Sequence, residues 1–276
     1  MASAGHCPPL PVDGLGVRYT RRSDPAVGIT GRASLIRSVV LAAVVVSFLL
    51  AATASGQNTT GVFGPEVTPG ERSAEVRVAF APRSDGSEAR VASRIHYQHA
   101  VTDTLRLRAV LQGADRPGGS DFDFDFVQFE AQWQFLEDET HGWDSALRLD
   151  GQIAQDRADL TNLHWSNDVP LGESWVLRGI LLAGFQIGDS RASGLFLQTR
   201  ASLRYKLSPN YSLQVQVFNL YGSTANMPAG QNQNHSVGPA VAGKLGRGWS
   251  FEASTLFGVT RAAPDADLRL FLTKAF

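Results

Sequence analysis

From residue 73 to the end of the chain, apolar and polar residues alternate at every second position in segments of about ten to fourteen residues. Successive side chains of a β-strand point to opposite faces, so a period of two indicates strands. Clusters of Gly, Pro, Asp, Asn and Ser separate the segments, and no convincing helical period appears among them. The pattern predicts twelve strands, over residues 73–82, 88–101, 104–114, 122–136, 143–155, 159–169, 174–187, 194–207, 211–221, 234–245, 249–260 and 267–276.

These strands are longer than those of most soluble domains, which have about five or six residues, and they match the 9 to 11 residues or so that a tilted strand needs to cross a bilayer. The connections after even-numbered strands are short, whereas those after odd-numbered strands include the longest, residues 222–234. Membrane barrels have an even strand number, short periplasmic turns and longer outer loops. The sequence therefore predicts an all-β fold, a single antiparallel up-and-down transmembrane β-barrel of about 12 strands.

Aromatic residues mark one end of the predicted barrel. Trp143, Trp175, Tyr211 and Trp249 each begin a strand that follows a short turn. Rings with a polar edge favour the headgroup level of a membrane. These four residues therefore predict a girdle of aromatic side chains at one membrane interface.

An apolar run at residues 38–54 has the parts of a secretory signal. Arg32 and Arg37 supply the basic region before it, and Ala52-Thr53-Ala54 supplies the small residues at its end. A membrane-anchoring helix needs about twenty apolar residues, and this run is slightly shorter. We therefore predict an exported protein that is cleaved near residues 54–57.

This division assigns residues 1–56 to an N-terminal extension and signal peptide, residues 57–72 to a flexible mature N-terminus, and residues 73–276 to the barrel. Cys7 is the only cysteine of the chain and lies in the leader, so the mature chain has no thiol, which suits an oxidising compartment. Without the leader, 20 basic residues face 24 acidic ones, a net charge of −4. No basic excess remains to favour nucleic acid.

Within a predicted strand, charged residues occupy every second position and apolar residues occupy the positions between them. On the third predicted strand, Leu105 and Leu107 alternate with Arg106 and Arg108. Because a charge that faces lipid costs about 2–4 kcal/mol at mid-membrane, we expect the charged side chains to face the lumen. The predicted lumen-lining residues are Arg90, Arg94, His96, Arg106, Arg108, Asp123, Asp125, Glu130, Asp144, Arg148, Asp150, Arg200 and Arg204.

The second and third strands supply basic residues to this lumen, whereas the fourth and fifth supply mainly acidic ones. Opposed walls of charge produce a transverse field that orients polar solutes in a channel. Alternatively, the charges pair with one another and fill the lumen as a salt-bridge network. A twelve-strand barrel lies between side-chain-filled barrels and open porins. The sequence therefore supports a narrow passive channel for small polar or charged solutes, with a non-conducting structural barrel with a salt-bridged lumen as the alternative.

The fourth strand changes phase, because Phe122, Phe124 and Phe126 have even parity whereas Val127 and Phe129 have odd parity. We predict a β-bulge near residues 126 and 127 that restores one apolar face. The alternative is that the run "DFDF" belongs to an outer loop, in which Asp123 and Asp125 hold a cation.

The chain ends in the strand "DADLRLFLTKAF", in which Leu268, Leu270, Leu272 and Phe276 share a parity that Lys274 interrupts. With the signal and the twelve strands, this ending resembles a Gram-negative outer-membrane β-barrel, and "FDFVQFEAQWQ" and "FLQTRASL" are similar to uncharacterised porin-like barrels of proteobacteria. The resemblance implies a monomer in outer-membrane lipid, with Phe276 as the assembly signal read by the barrel-assembly machinery.

Catalytic and metal sites have little support in the sequence. His235 and Ser236 are neighbours, but adjacent residues of a strand point to opposite faces, so this histidine is a poor general base for that serine. Two methionines and six scattered histidines make a poor pathway for soft metals. We expect no enzyme activity, no cofactor and no metal, and an outer-membrane lipid-modifying enzyme is the less favoured alternative.

Overall fold

The computed structural model describes residues 59–82, 89–115, 122–138, 140–155, 157–189 and 191–276. The predicted signal peptide and Cys7 lie outside these residues, as do residues 57 and 58 of the predicted mature N-terminus.

The described chain forms a closed barrel of twelve antiparallel strands in which each strand pairs with the next and β1 pairs with β12. The predicted all-β up-and-down barrel is therefore confirmed, with strand ends within a few residues of those expected. A short 3₁₀ turn at Gly230–Asn232 precedes β10. The strands are β1 Arg72–Ala81, β2 Arg90–Ala100, β3 Leu105–Asp115, β4 Phe122–Asp138, β5 Trp143–Ala154, β6 Asp159–Pro170, β7 Trp175–Ile187, β8 Phe196–Ser208, β9 Tyr211–Ser223, β10 Asn234–Gly246, β11 Trp249–Gly258 and β12 Ala266–Ala275.

The connections after even-numbered strands lie at one end of the barrel, which we call the turn end, and the longer connections lie at the other, the loop end. The barrel begins and finishes at the turn end, where Ser73 pairs with Ala275. The backbone N–H of Phe276 donates to the carbonyl of Arg72 over 2.9 Å. Lys274 donates from Nζ to the carbonyl of Arg247 over 2.6 Å, across the β10–β11 turn. The last strand is thus held on both sides, by β1 and by β11.

The barrel wall is apolar outside and polar inside. On β5, Leu149 is 56% exposed on the outer face, whereas Asp150 is 1% exposed and Arg148 is also buried. On β3, Leu107 and Leu111 are likewise exposed outward. A soluble barrel buries its apolar set, so this arrangement is the one that lipid requires. No helix within the described ranges is long and apolar enough to cross a membrane.

A bulge interrupts β4 as predicted, but one residue earlier. Gln112 of β3 pairs with Phe126 and Gly113 pairs with Phe124, so Asp125 is the additional residue. Asp125 and Phe126 are both buried, whereas Phe124 is exposed. Phe126 therefore faces the lumen and does not belong to the outward apolar face that the sequence suggested.

The four predicted interface aromatics lie at the turn end, each as the first residue of its strand. Trp143, Trp175 and Trp249 are exposed on the outside of the barrel, and Tyr211 is half-buried. The ring of Trp175 packs against that of Tyr205, with 4.8 Å between centroids. These positions agree with an aromatic girdle at one interface.

Candidate functional site

The lumen contains part of the chain itself, residues 59–67, which we call the lumen segment. It enters from the turn end, where the backbone N–H of Val67 donates to Oε1 of Gln134 over 2.7 Å. It extends into the loop-side half of the barrel, where Oγ1 of Thr59 donates to Oε1 of Gln112 over 2.8 Å. The sequence predicted a flexible terminus here, and the structure instead places residues 59–67 inside the barrel.

Arginines from four strands hold the backbone of the lumen segment. Their guanidinium groups donate to four consecutive carbonyl groups, and the donor–acceptor distances lie between 2.9 and 3.4 Å. The pairs are Arg77 with Thr59, Arg269 with Thr60, Arg200 with Gly61 and Arg178 with Val62. Buried backbone groups that belong to no helix or sheet need such partners, so the lumen is built to receive an extended chain.

Further along the segment, the side-chain amide of Gln132 donates to the carbonyl groups of Gly64 and Pro65, over 3.1 and 2.9 Å. Space around Gly64 is tight, because a Cβ there would lie 2.3 Å from a guanidinium nitrogen of Arg178. A side chain at this position would therefore displace the guanidinium group of Arg178 from its place beside Asp168.

Phe63 is the main side chain that anchors the segment. Cζ of Arg148 lies 3.4 Å from the centroid of its ring, and the ring of His164 meets it edge-on with 5.5 Å between centroids. Beside it, Val62 joins a small apolar cluster with Ile180, Phe218 and Leu256. These contacts combine a cation–π interaction with apolar burial.

The predicted basic and acidic walls pair with each other next to Phe63. Oε2 of Glu130 accepts from both Arg108 and Arg148, each over 3.0 Å. His164 lies with Nε2 2.6 Å from Oδ2 of Asp150, and Nη2 of Arg148 lies 4.0 Å from the same oxygen. Because these residues are buried, the network fixes the side chains around the lumen segment.

Almost all predicted lumen-lining residues lie on the inward side of their strands. Asp123 pairs with inward-facing Ala114, but it differs from the others because it is exposed at the mouth of the barrel. The alternative of a cation between Asp123 and Asp125 is not supported, because Arg157 lies 3.2 Å from Oδ1 of Asp125. The inward residues are Arg90, Arg94, His96, Arg106, Arg108, Asp125, Glu130, Asp144, Arg148, Asp150, Arg200 and Arg204.

Sequence reasoning missed three of the arginines that hold the lumen segment, Arg77, Arg178 and Arg269. The signal was present, since Arg77 alternates with apolar Val76 and Val78 just as Arg106 does with its neighbours. The parity rule applied to β1, β7 and β12 would have found all three. The lumen segment itself carries no alternation, and no pattern in it points to the lumen.

The described residues enclose two cavities beside the lumen segment. The turn-side cavity has a volume of about 590 Å³ and reaches Pro209 and Asn210 in the β8–β9 turn. The inner cavity has a volume of about 250 Å³ and reaches residues of the loop-side half, such as Gln152 and Asp267. Gly61 and Phe63 line both cavities, so the lumen segment lies between them. The lumen is therefore a passage whose middle is occupied by the lumen segment.

Neither a catalytic pair nor a metal centre is found in the described part of the chain. His235 bonds through Nε2 to Gln233, 3.0 Å away, whereas Ser236 is buried on the other face of the strand. No group of three His, Cys, Asp or Glu side chains in the described ranges is placed to hold a metal ion.

Comparisons with known proteins agree with this architecture. A family model described as the putative MetA-pathway of phenol degradation matches residues 55–266, and no curated protein sequence matches the chain. An outer-membrane channel from Pseudomonas putida F1 is similar with a TM-score of 0.60 and 11% identity, over 76% of this chain and 97% of that one. The KdgM porin (TM-score 0.54, 8% identity, 74% and 99% of the two chains) and the NanC porin (0.54, 10%, 73% and 98%) are also similar. At these identities the likeness is one of fold.

Proposed function

Because this chain belongs to the family described as the putative MetA-pathway of phenol degradation, and because its barrel has a polar lumen, we propose that it is an outer-membrane channel. It provides a narrow passive route for small polar or charged solutes, and residues 59–67 are its removable obstruction. The observation that carries this proposal is the lumen segment between two polar cavities. If the segment left, the wall around it would be a mainly polar lining with one apolar patch of Ile180, Phe218 and Leu256.

The way in which the segment is held supports passage rather than permanent filling. Arg200 and Arg269 donate to its backbone carbonyl groups, and a hydrogen bond to a neutral carbonyl is weaker than one to a carboxylate. Water or a polar solute can replace such a partner. Arg269 also lies 3.8 Å from a carboxylate oxygen of Glu252, whereas Arg200 has no carboxylate within 4.0 Å among the described residues. A lumen filled for stability alone would pair Arg200 with an acidic side chain of the wall as well.

One observation favours the second candidate, a non-conducting structural barrel. Glu130 binds Arg108 and Arg148 together, so part of the lumen is closed by the salt bridges of the wall itself. This network lies on β3 to β6 and leaves the side of β8 to β12 without a comparable set of close ion pairs among the described residues.

In this proposal the leader directs export, the barrel-assembly machinery inserts the chain as a monomer, and outer-membrane lipid covers the apolar face. N-terminal sequencing of the purified protein should give a first residue near 55–57. A mature terminus before residue 37 would contradict export by this signal.

Conductance in planar bilayers tests the channel directly. A variant without residues 59–67 should give steady currents, whereas the full mature chain should give lower or intermittent ones. A matched control without residues 224–229, in the longest outer loop, should behave as the unmodified protein. If the variant without the lumen segment is folded, as judged by heat-modifiable mobility, and carries no current, the barrel is a structural one.

A further inference from the structure

We infer that the inner cavity is a binding site for one small hydroxylated organic anion, held between Arg94 and Arg200 on opposite walls of the barrel. The inference rests on the proposed function in that the site would lie on the route of the solute. A volume of about 250 Å³ corresponds to on the order of eight waters at about 30 Å³ each, or to one solute of a few carbon atoms.

The charges around the cavity favour an anion. Five arginines line it against three carboxylates, an excess of two positive charges. The arginines are Arg77, Arg94, Arg108, Arg148 and Arg200. The carboxylates are Glu130, Asp150 and Asp267. Of the two histidines of the lining, His164 is engaged by Asp150 and Arg148, and His96 adds a further donor.

Two of these arginines are not neutralised by a carboxylate. Arg77 pairs with Glu75, and both Arg108 and Arg148 pair with Glu130. Neither Arg94 nor Arg200 has a carboxylate within 4.0 Å among the described residues.

Both arginines are oriented by neutral partners. Arg94 donates from Nε to Gln112 over 2.7 Å, and its guanidinium lies 5.1 Å from the ring centroid of Phe126. Arg200 donates to Oε1 of Gln198 over 3.1 Å. Arg94 is on β2 and Arg200 on β8, which are six strands apart in the closed ring of twelve. The two guanidinium groups therefore address the cavity from opposite sides, as a clamp for a carboxylate does.

Unpartnered polar atoms of deeply buried side chains point to a ligand in the same place. His96 is 3% exposed, and its Nε2 has no hydrogen-bond partner among the described residues, whereas its Nδ1 lies 3.4 Å from Oε1 of Glu75. Nε of Arg200, whose residue is 7% exposed, also has none. These are donors for a carboxylate, and leaving a buried donor unpaired is costly.

Asp267 supplies the complementary signal for a hydroxyl group. It is 1% exposed, lines the inner cavity, and its Oδ1 has no partner among the described residues. A carboxylate oxygen only accepts, so it binds a ligand O–H and repels a second ligand carboxylate. One negative charge near the two arginines and one hydroxyl near Asp267 describe a small hydroxy acid.

Lactate and its neutral isostere lactamide test the charge, and propionate tests the hydroxyl. In isothermal titration of the folded mature protein in detergent, lactate should bind at least about tenfold more tightly than lactamide, because charge-assisted hydrogen bonds are the stronger ones. Arg94→Gln and Arg200→Gln should each lower lactate affinity about tenfold or more. Arg191→Gln, in an exposed loop, is the matched control and should change nothing.

Substitutions of Asp267 should change binding in ways that a general loss of structure would not, because one of them should raise the affinity for lactate. Asp267→Asn removes a negative charge but keeps an acceptor, so lactate should bind more tightly. Asp267→Ala should abolish the preference for lactate over propionate. Equal binding of lactate and lactamide, or lactate affinity that Arg200→Gln leaves unchanged, would overturn the inference, and so would a weaker affinity in Asp267→Asn.

The two proposals fail separately. If the variant without residues 59–67 conducts but the full chain binds no lactate, the channel stands and the site does not exist. If lactate binds with the expected dependence on Arg94 and Arg200 but no variant conducts, the site stands and the channel is refuted.

Discussion

Replacing Phe63 with alanine measures how tightly the lumen segment is held. The ring lies against Arg148, with Cζ 3.4 Å from its centroid, and against the edge of His164. Alanine keeps the backbone of the segment and its hydrogen bonds to the arginines. The barrel wall should stay folded, because its strands are paired around the complete ring. The variant therefore changes the balance between a seated and a displaced segment.

The two ring contacts that are lost give a lower bound for the magnitude, because Phe63 also packs against the apolar cluster around Val62. A cation–π pair is worth about 2 kcal/mol when desolvated, and Arg148 is buried. The edge contact with His164 adds about 0.5–1 kcal/mol, toward the lower end of the range for aromatic pairs. Arg148 keeps its ion pair with Glu130, so no buried charge is left without a partner. A total of about 2.5–3 kcal/mol, at about 1.4 kcal/mol for each factor of ten, raises the displaced population about sixty- to a hundred-and-fortyfold.

Single-channel recording in planar bilayers reports this population as the open probability. Phe63→Leu should give an intermediate value, because leucine keeps apolar bulk but has no ring for Arg148. Phe129→Ala removes an aromatic that is exposed on the outer face, and it should not change the open probability. If Phe63→Ala opens no more often than the unmodified protein while deletion of residues 59–67 does open the barrel, Phe63 does not hold the segment in place.

Two further predictions concern the wall of the barrel. Arg108→Glu should lower the melting temperature measured by heat-modifiable mobility, because it places a carboxylate beside Glu130 and breaks a buried ion pair at a cost of about 3–5 kcal/mol. Arg106 has no ion-pair partner among the described residues, so Arg106→Glu should leave the melting temperature unchanged. Equal melting temperatures for the two variants would refute this prediction. Deletion of Phe276 should reduce the yield of folded barrel in the outer membrane, because it removes the last hydrogen bond to β1 and the residue that we propose as the assembly signal. Ala275→Ser should assemble normally, and equal yields of the two variants would contradict a role for the terminal residue.

The sequence by itself determined the strands and their two faces. Alternation is a local property, because each residue of a strand faces opposite to its neighbour whatever the strand pairs with. For this reason the common face of Arg106 and Arg108 and the bulge near Phe126 could be predicted from short windows. The assignment of that face to the lumen needed the export signal, the strand lengths and the cost of a charge that faces lipid. The bulge was misplaced by one residue because both Asp125 and Phe126 face inward, which depends on the register with β3.

Only the tertiary structure decided what fills the lumen. Arg178, Arg200 and Arg269 meet the lumen segment across sequence separations of 116, 139 and 209 residues. They bind its carbonyl groups, which every residue has, so the sequence of the segment contains no sign of these partners. Likewise, the sharing of Glu130 by Arg108 and Arg148 depends on cross-strand register, which brings β3, β4 and β5 side by side at that level. Hydrogen bonds to the backbone and cross-strand ion pairs are set by the closure of the barrel, and no local pattern specifies them.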